Sequence, residues 1–188
     1  MPRFNSPRRK VFISFHGTDE LEVLDFVQWA ESIGVMIPRM LHAAHNGDVV
    51  NSSNPEYVMS VIRNDYLQDT TVTLLLLGTC THSRRYVDWE LKSSLRQGST
   101  YIPNGLLAMS LPGVPARLHL PARFRDNWQD EIGYARWYPY TRNADELAAW
   151  IDEAYAARSS RPHLISNGRE MMRHNGQCNH CRYTHPAG

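Results

Sequence analysis

The stretch Val72-Thr73-Leu74-Leu75-Leu76-Leu77-Gly78 decides the fold. It is continuously apolar apart from one threonine, is bounded by Asp69-Thr70 and a glycine, and is too short for a buried helix. It reads as a central strand covered on both faces. A polar turn, Thr79 to Arg85, follows it. Residues 86–97 then carry Val87, Leu91 and Leu95 at helical spacing, with Gly98 as a stop, which predicts a helix whose apolar stripe faces the sheet. Glu90 falls in the first turns of that helix, so its carboxylate is expected to point back toward the carboxyl end of the preceding strand.

Upstream of this unit, Lys10 to Phe15 is β-branched and aromatic and predicts a second buried strand ending at His16-Gly17. Thr18 or Asp19 can cap a helix with Leu21, Leu24, Val27, Ala30 and Ile33 as its apolar positions, closed by Gly34. Val35-Met36-Ile37 gives a short strand that Pro38 is expected to end. Residues 39–53 show no sustained period and contain an Asn46-Gly47 turn, and a loop of that length is commonly functional. Asn54-Pro55 opens a helix with Tyr57, Val58, Val61 and Ile62 on one side.

Downstream, Thr100 to Ile102 and Leu106 to Met109 read as strand material, and Leu111 to Arg125, with three prolines, as irregular surface. Tyr134 to Tyr140 predicts an edge strand. Asn143 caps a last helix, with Glu146 three residues on and Leu147, Trp150, Ile151, Ala154 and Tyr155 at helical spacing. From Ser159 onward the chain is polar, and a loosely packed tail is expected. The expected organisation is an arm over residues 1–9, one domain over 10–158 and a polar tail over 159–188.

The 188 residues suffice for one well-buried core. Twenty basic and nineteen acidic residues leave a net charge of +1, so bulk electrostatics argue for neither nucleic acid nor an anionic membrane as partner. The apolar run Val11 to Phe15 is far shorter than a signal-peptide core or a membrane span. Three cysteines, Cys80, Cys178 and Cys181, cannot build a disulfide framework. Together these predict a cytoplasmic protein.

Buried strands alternating with amphipathic helices predict an α/β, flavodoxin-like three-layer sandwich around a mostly parallel five-stranded sheet. In such sheets the first strand lies beside the third, and ligands bind beyond the carboxyl ends of that pair. The crevice would be lined by Ser14, Phe15 and His16 on one side and by Gly78 through Arg85 on the other.

The strand Val11 to Phe15 with His16 after it, the long loop before the third strand, and Arg84-Arg85-Tyr86-Val87-Asp88-Trp89-Glu90 resemble the TIR domain. TIR enzymes carry a catalytic glutamate four residues after an aromatic, as Glu90 follows Tyr86. The Ser-Phe-His end of the first strand, the Val-Thr-Leu-Leu-Leu-Leu-Gly strand and the Ser-Arg-Arg-Tyr-Val turn look most like the TIR-like proteins of the bacterial Thoeris antiphage system. Many TIR domains have an arginine where this chain has His16. The resemblance spans roughly Lys10 to Tyr155 and is strongest up to Gly98.

It implies cleavage of NAD as substrate, with no added cofactor, and Glu90 as the catalytic carboxylate. Nicotinamide departs as a neutral molecule, so the main chemical demand is to steady an oxocarbenium-like ribosyl centre, which one carboxylate can meet. Ser14, Phe15, His16, Thr79, Ser83, Arg84, Arg85 and Tyr86 are the expected substrate contacts. The Thoeris likeness favours a cyclic ADP-ribose-type signal over plain hydrolysis. It also implies a phage-derived activator, assembly of like chains, and an effector protein linked through the nucleotide.

Each residue has a plainer reading. Glu90 could be a solvated helix residue, His16 could satisfy a strand-end backbone group, and only one of Arg84 and Arg85 is expected to face the crevice. Phe15 and Trp89 suit packing, and Cys80 lacks an activating neighbour. Cys178-Asn179-His180-Cys181 has zinc-knuckle spacing but lacks the second pair that a structural site draws on. A non-enzymatic self-association module and a nucleoside deoxyribosyltransferase-like enzyme are the competing readings.

Overall fold

The computed structural model of the chain describes residues 7–41, 54–99, 101–115 and 118–178. Five strands, β1 (Arg9–Ser14), β2 (Met36–Met40), β3 (Val72–Leu77), β4 (Gly105–Ser110) and β5 (Arg136–Tyr138), form one sheet in the order β2-β1-β3-β4-β5. Every pairing is parallel. Among the described residues five α-helices cover it: α1 (Glu20–Ser32), α2 (Pro55–Val61), α3 (Arg85–Ser94), α4 (Ala122–Trp128) and α5 (Ala144–Ser160). This is the flavodoxin-like sandwich, with β1 beside β3 and the order reversing between them.

The side-chain period of a strand sorts β3 between two cores. Leu74 and Leu76 join Val11, Ile13, Phe26, Leu147 and Ile151 under α1 and α5. Leu75 and Leu77 join Val87, Leu91, Leu95 and Phe124 under α3 and α4. All six residues of β3 are buried, as a strand covered on both sides requires. Because Val11 and Ile13 face α1, Ser14 must face the α3 side.

Several expected details change. The buried face of α1 is Val23, Phe26, Val27 and Ala30, whereas Leu21 is 85% exposed. A strict three-residue repeat lags the 3.6-residue turn and wanders around the helix, so it misplaced the stripe. In α2 the buried positions are Val58 and Met59, followed by Ile62, while Tyr57 faces solvent. The chain continues from α2 as a π-helical turn, Ile62–Leu67. Asn54 caps α2 as expected, its Oδ1 accepting from the amides of Glu56 and Tyr57.

Pro38 does not end β2, which runs through it to Met40. β2 is an edge strand, so a residue without an N–H removes no ladder bond on the solvent side. α3 stops at Ser94, short of Gly98, and Tyr101 makes only an isolated bridge to Gly98 instead of a strand. Of the 39–53 loop, residues 42–53 lie outside the described residues. The proline-rich 111–125 stretch is not wholly irregular, because α4 begins immediately after Pro121. In the last helix Asn143 Oδ1 accepts from the Asp145 and Glu146 amides, as its capping pattern predicts.

The largest difference lies at the C-terminal end. Residues 161–178 form an ordered strap over α3 and α4, where a loosely packed tail was expected. Ser166 exchanges two hydrogen bonds with Asn127, and Arg169 pairs with Asp126. Met171 packs on the small cluster around Trp89, while Leu164 and Ile165 pack on the α3–α4 core. Apolar periodicity is absent because backbone groups bonded to buried side chains hold most of the strap.

Candidate active site

Glu90 sits in the middle of α3 and is buried, with 5% of its surface exposed. Its Oε2 accepts a hydrogen bond of 2.6 Å from the Ser14 hydroxyl, which β1 presents at its carboxyl end. One helical turn on, Ser94 Oγ accepts from Thr73 Oγ1 of β3 at 2.8 Å. Residues four apart share a helix face, so these two polar links pin the same side of α3 to the two central strands. The carboxyl group therefore lies at the switch in strand order, as the sequence led us to expect, and not on a solvated face.

Burial pushes the Glu90 carboxyl up to about 8, with the Ser14 hydrogen bond pulling the other way. No positive partner offsets that burial among the described residues. The group is thus poised to exchange between neutral and ionised forms near physiological pH, and a cation brought next to it favours the ionised one.

A second carboxylate stands at the same mouth. Asp19 closes the Gly17–Asp19 turn and presses on Gly78, where a Cβ would overlap its carboxylate. Burial, reinforced by Glu22, pushes Asp19 up to about 6 while a Thr18 hydrogen bond lowers it. A side chain at position 78 would therefore force the Asp19 carboxylate to move.

The remaining expected contacts divide. His16 is buried and caps the turn after β1, its Nδ1 accepting from the Thr18 amide at 2.9 Å. Phe15 packs on the core under α1 and α5. Ser83 donates to the Cys80 carbonyl at 2.8 Å, and Arg84 reaches the Ser83 hydroxyl. The Arg85 guanidinium lies 4.9 Å from the Tyr86 ring centre and bonds the Tyr86 hydroxyl. Tyr86 in turn meets Trp89 edge-on at 5.2 Å. Arg85, Tyr86 and Trp89 thus form one contact group at the start of α3, and Trp89 carries it onto Val58, Met59 and Ile62.

The strap reaches this loop. Asn175 Oδ1 accepts from the Arg85 amide, the Gly176 amide donates to the Ser83 carbonyl at 2.8 Å, and Cys178 Sγ lies 3.7 Å from the Thr79 carbonyl. Cys178 is buried there, and no cluster of three metal-ligating side chains occurs among the described residues. Cys181 lies outside them.

Sequence reasoning missed the clamp that holds α3. Asp88 is buried and receives Arg123 Nε at 2.9 Å, Arg123 Nη2 at 3.3 Å and the Met172 amide at 2.9 Å. Arg123 also donates to Asn167 and to the Arg169 and Glu170 carbonyls, and Trp89 Nε1 donates to the Met172 carbonyl. Asp88 resembles an ordinary first-turn acid in the sequence, and Arg123 falls in the stretch read as irregular. Only Pro121, a helix-start residue, could have hinted at a helix there.

Residues 12–114 match the family described as Thoeris protein ThsB, TIR-like domain. The chain belongs to that family. The match runs from within β1 through β4, and takes in Ser14, Glu90 and the crevice loop. Its role is accordingly that of a TIR domain in antiphage defence. α4, β5, α5 and the strap lie beyond the matched residues. No curated protein matches the chain. No helix among the described residues is long and apolar enough to cross a membrane.

Proposed function

We propose that this Thoeris TIR-like domain cleaves the bond between nicotinamide and ribose in NAD, with Glu90 as the catalytic carboxylate. The observation that carries the reading is a buried glutamate without a cationic partner, held by Ser14 where β1 and β3 diverge. The positively charged nicotinamide ribosyl group supplies the missing cation. As the C1′–N bond breaks, its electron pair leaves with neutral nicotinamide, and the ionised carboxylate steadies the cationic sugar. No general acid is needed for that departure. Attack at C1′ by an atom of the same nucleotide gives a cyclic ADP-ribose-type product, whereas attack by water gives ADP-ribose and a proton.

Ser14 fixes the carboxylate. Thr79 and Arg84 on the crevice loop, with Phe15 and His16 after β1, border the space the nucleotide would fill. We take the product to be a signal read by an effector protein, with a phage-derived activator and assembly of like chains switching the enzyme on.

The test is mass spectrometry of nucleotides after mixing purified protein with NAD, alone and with phage lysate. Nicotinamide together with a cyclic product is expected, and Glu90→Gln should release both far more slowly. Absence of nicotinamide from folded wild-type protein under both conditions refutes the reading. Turnover of deoxynucleosides instead of NAD would assign a deoxyribosyltransferase, and defence that survives Glu90→Gln would assign a self-association module.

A further inference from the structure

The opposite end of the sheet carries an open cavity of about 680 Å³, a volume suited to a nucleotide-sized ligand. It lies toward the amino ends of the strands, by the residues that precede β3 and β4, whereas Ser14 stands at the carboxyl end of β1. Arg63 enters it from the π-helical turn after α2, Ser93 and Arg96 from the end of α3, Tyr101 from the connection to β4, and Arg158 from the end of α5.

Two observations point to an anion. Three guanidinium groups line the space, no carboxylate lines it among the described residues, and none of the three is in an ion pair there. Arg63 and Arg158 each spend Nε on a carbonyl, those of Met59 and Pro103 at 2.8 Å, which leaves their terminal amino groups for a ligand. Independently, Ser93 Oγ is buried without a hydrogen-bond partner among the described residues, in a residue only 6% exposed. A buried hydroxyl left unpaired is costly, and a ligand oxygen in the cavity would pair it. Helix-end arginines alone could be explained by the helix dipole, but that account leaves the orphan hydroxyl unexplained.

We propose that this cavity binds a polyphosphate anion, with Arg63, Arg96 and Arg158 on the phosphate oxygens and Ser93 donating to one of them. Guanidinium groups in such a cluster match phosphate geometry, and the anion offsets their mutual repulsion. The Tyr101 ring, half exposed with the Arg96 guanidinium 3.8 Å from its centre, offers a stacking surface if the polyphosphate carries a base. The site is separate from the crevice of Glu90 and does not depend on NAD cleavage.

Calorimetric titration of the full chain with ATP, inorganic tripolyphosphate and adenosine tests it. Both phosphate-bearing probes should bind and weaken with added salt, while adenosine alone should not. Tighter binding of ATP would identify a nucleotide as the source, and equal or tighter binding of tripolyphosphate a free polyphosphate. Replacing Arg63 and Arg96 together by alanine should weaken binding at least about tenfold. Ser93→Ala removes an unpaired group, so it should keep the melting temperature while weakening binding roughly threefold or more. Glu90→Gln should bind like wild type. The proposal fails if neither phosphate probe binds at about 1 mM, if binding ignores the arginine and Ser93 substitutions, or if Glu90→Gln abolishes it.

Discussion

Asp88 and Glu90 are two buried carboxylates on one helix, two residues apart, and their surroundings differ in kind. Asp88 meets a buried arginine through two hydrogen bonds and a backbone amide besides. Glu90 meets one serine hydroxyl. The first arrangement compensates burial with a full opposite charge, so the group is committed to holding α3 against α4 and the strap. The second compensates it with a single neutral donor, so the group keeps an unmet demand for positive charge. Successive positions of a helix face different neighbours, and here that separates a neutralised carboxylate from one without a cationic partner among the described residues.

The contrast can be broken at either residue. Asp88→Ala leaves the Arg123 guanidinium buried without its anion, and urea unfolding should show a loss of about 3–5 kcal/mol. Glu90→Gln should instead fold normally yet lower the rate of nicotinamide release by about a hundredfold to a thousandfold, the cost of removing one preorganised electrostatic contact. If Asp88→Ala is neutral for stability, the clamp is not what holds the helix.

A pH series sharpens it. The Glu90 carboxyl titrates higher in the folded chain than its ordinary 4.5, so the folded protein keeps a proton that the unfolded chain gives up. Its contribution to stability is intact below 4.5 and declines as pH rises toward about 8. Glu90→Gln should therefore melt above wild type by an amount that grows through that window to roughly 5 °C and then levels off. A melting difference that stays constant with pH would contradict the burial of an uncompensated acid. Smallest is Ser14→Ala. Without the hydroxyl the carboxyl titrates higher still, so kcat/KM should fall about tenfold near neutrality and its rising limb should move to higher pH.

The fold was legible where local pattern and global packing agree. β3 could be recognised from its own six residues because a strand buried on both faces needs no alternation, and Asn54 and Asn143 each bond amides within their own first turn. Glu90 was legible through Tyr86 and the arginine pair, as a family pattern. Asp88 was not, because its partners come 35 and 84 residues later in the chain. The strap was missed for the same reason. Its polar residues look unable to order a chain until Asn127, Arg123 and Ser83 are in place to receive them.

The sequence by itself determined the alternating strands and helices, the parallel sheet and the position of the acidic residue just past the central strand, since short-range period and capping suffice for those. Tertiary structure alone decided which of two neighbouring acids is neutralised, and that residues 161–178 pack on the domain. Those outcomes depend on charge and hydrogen-bond partners brought together from distant segments, and no local spacing encodes that proximity.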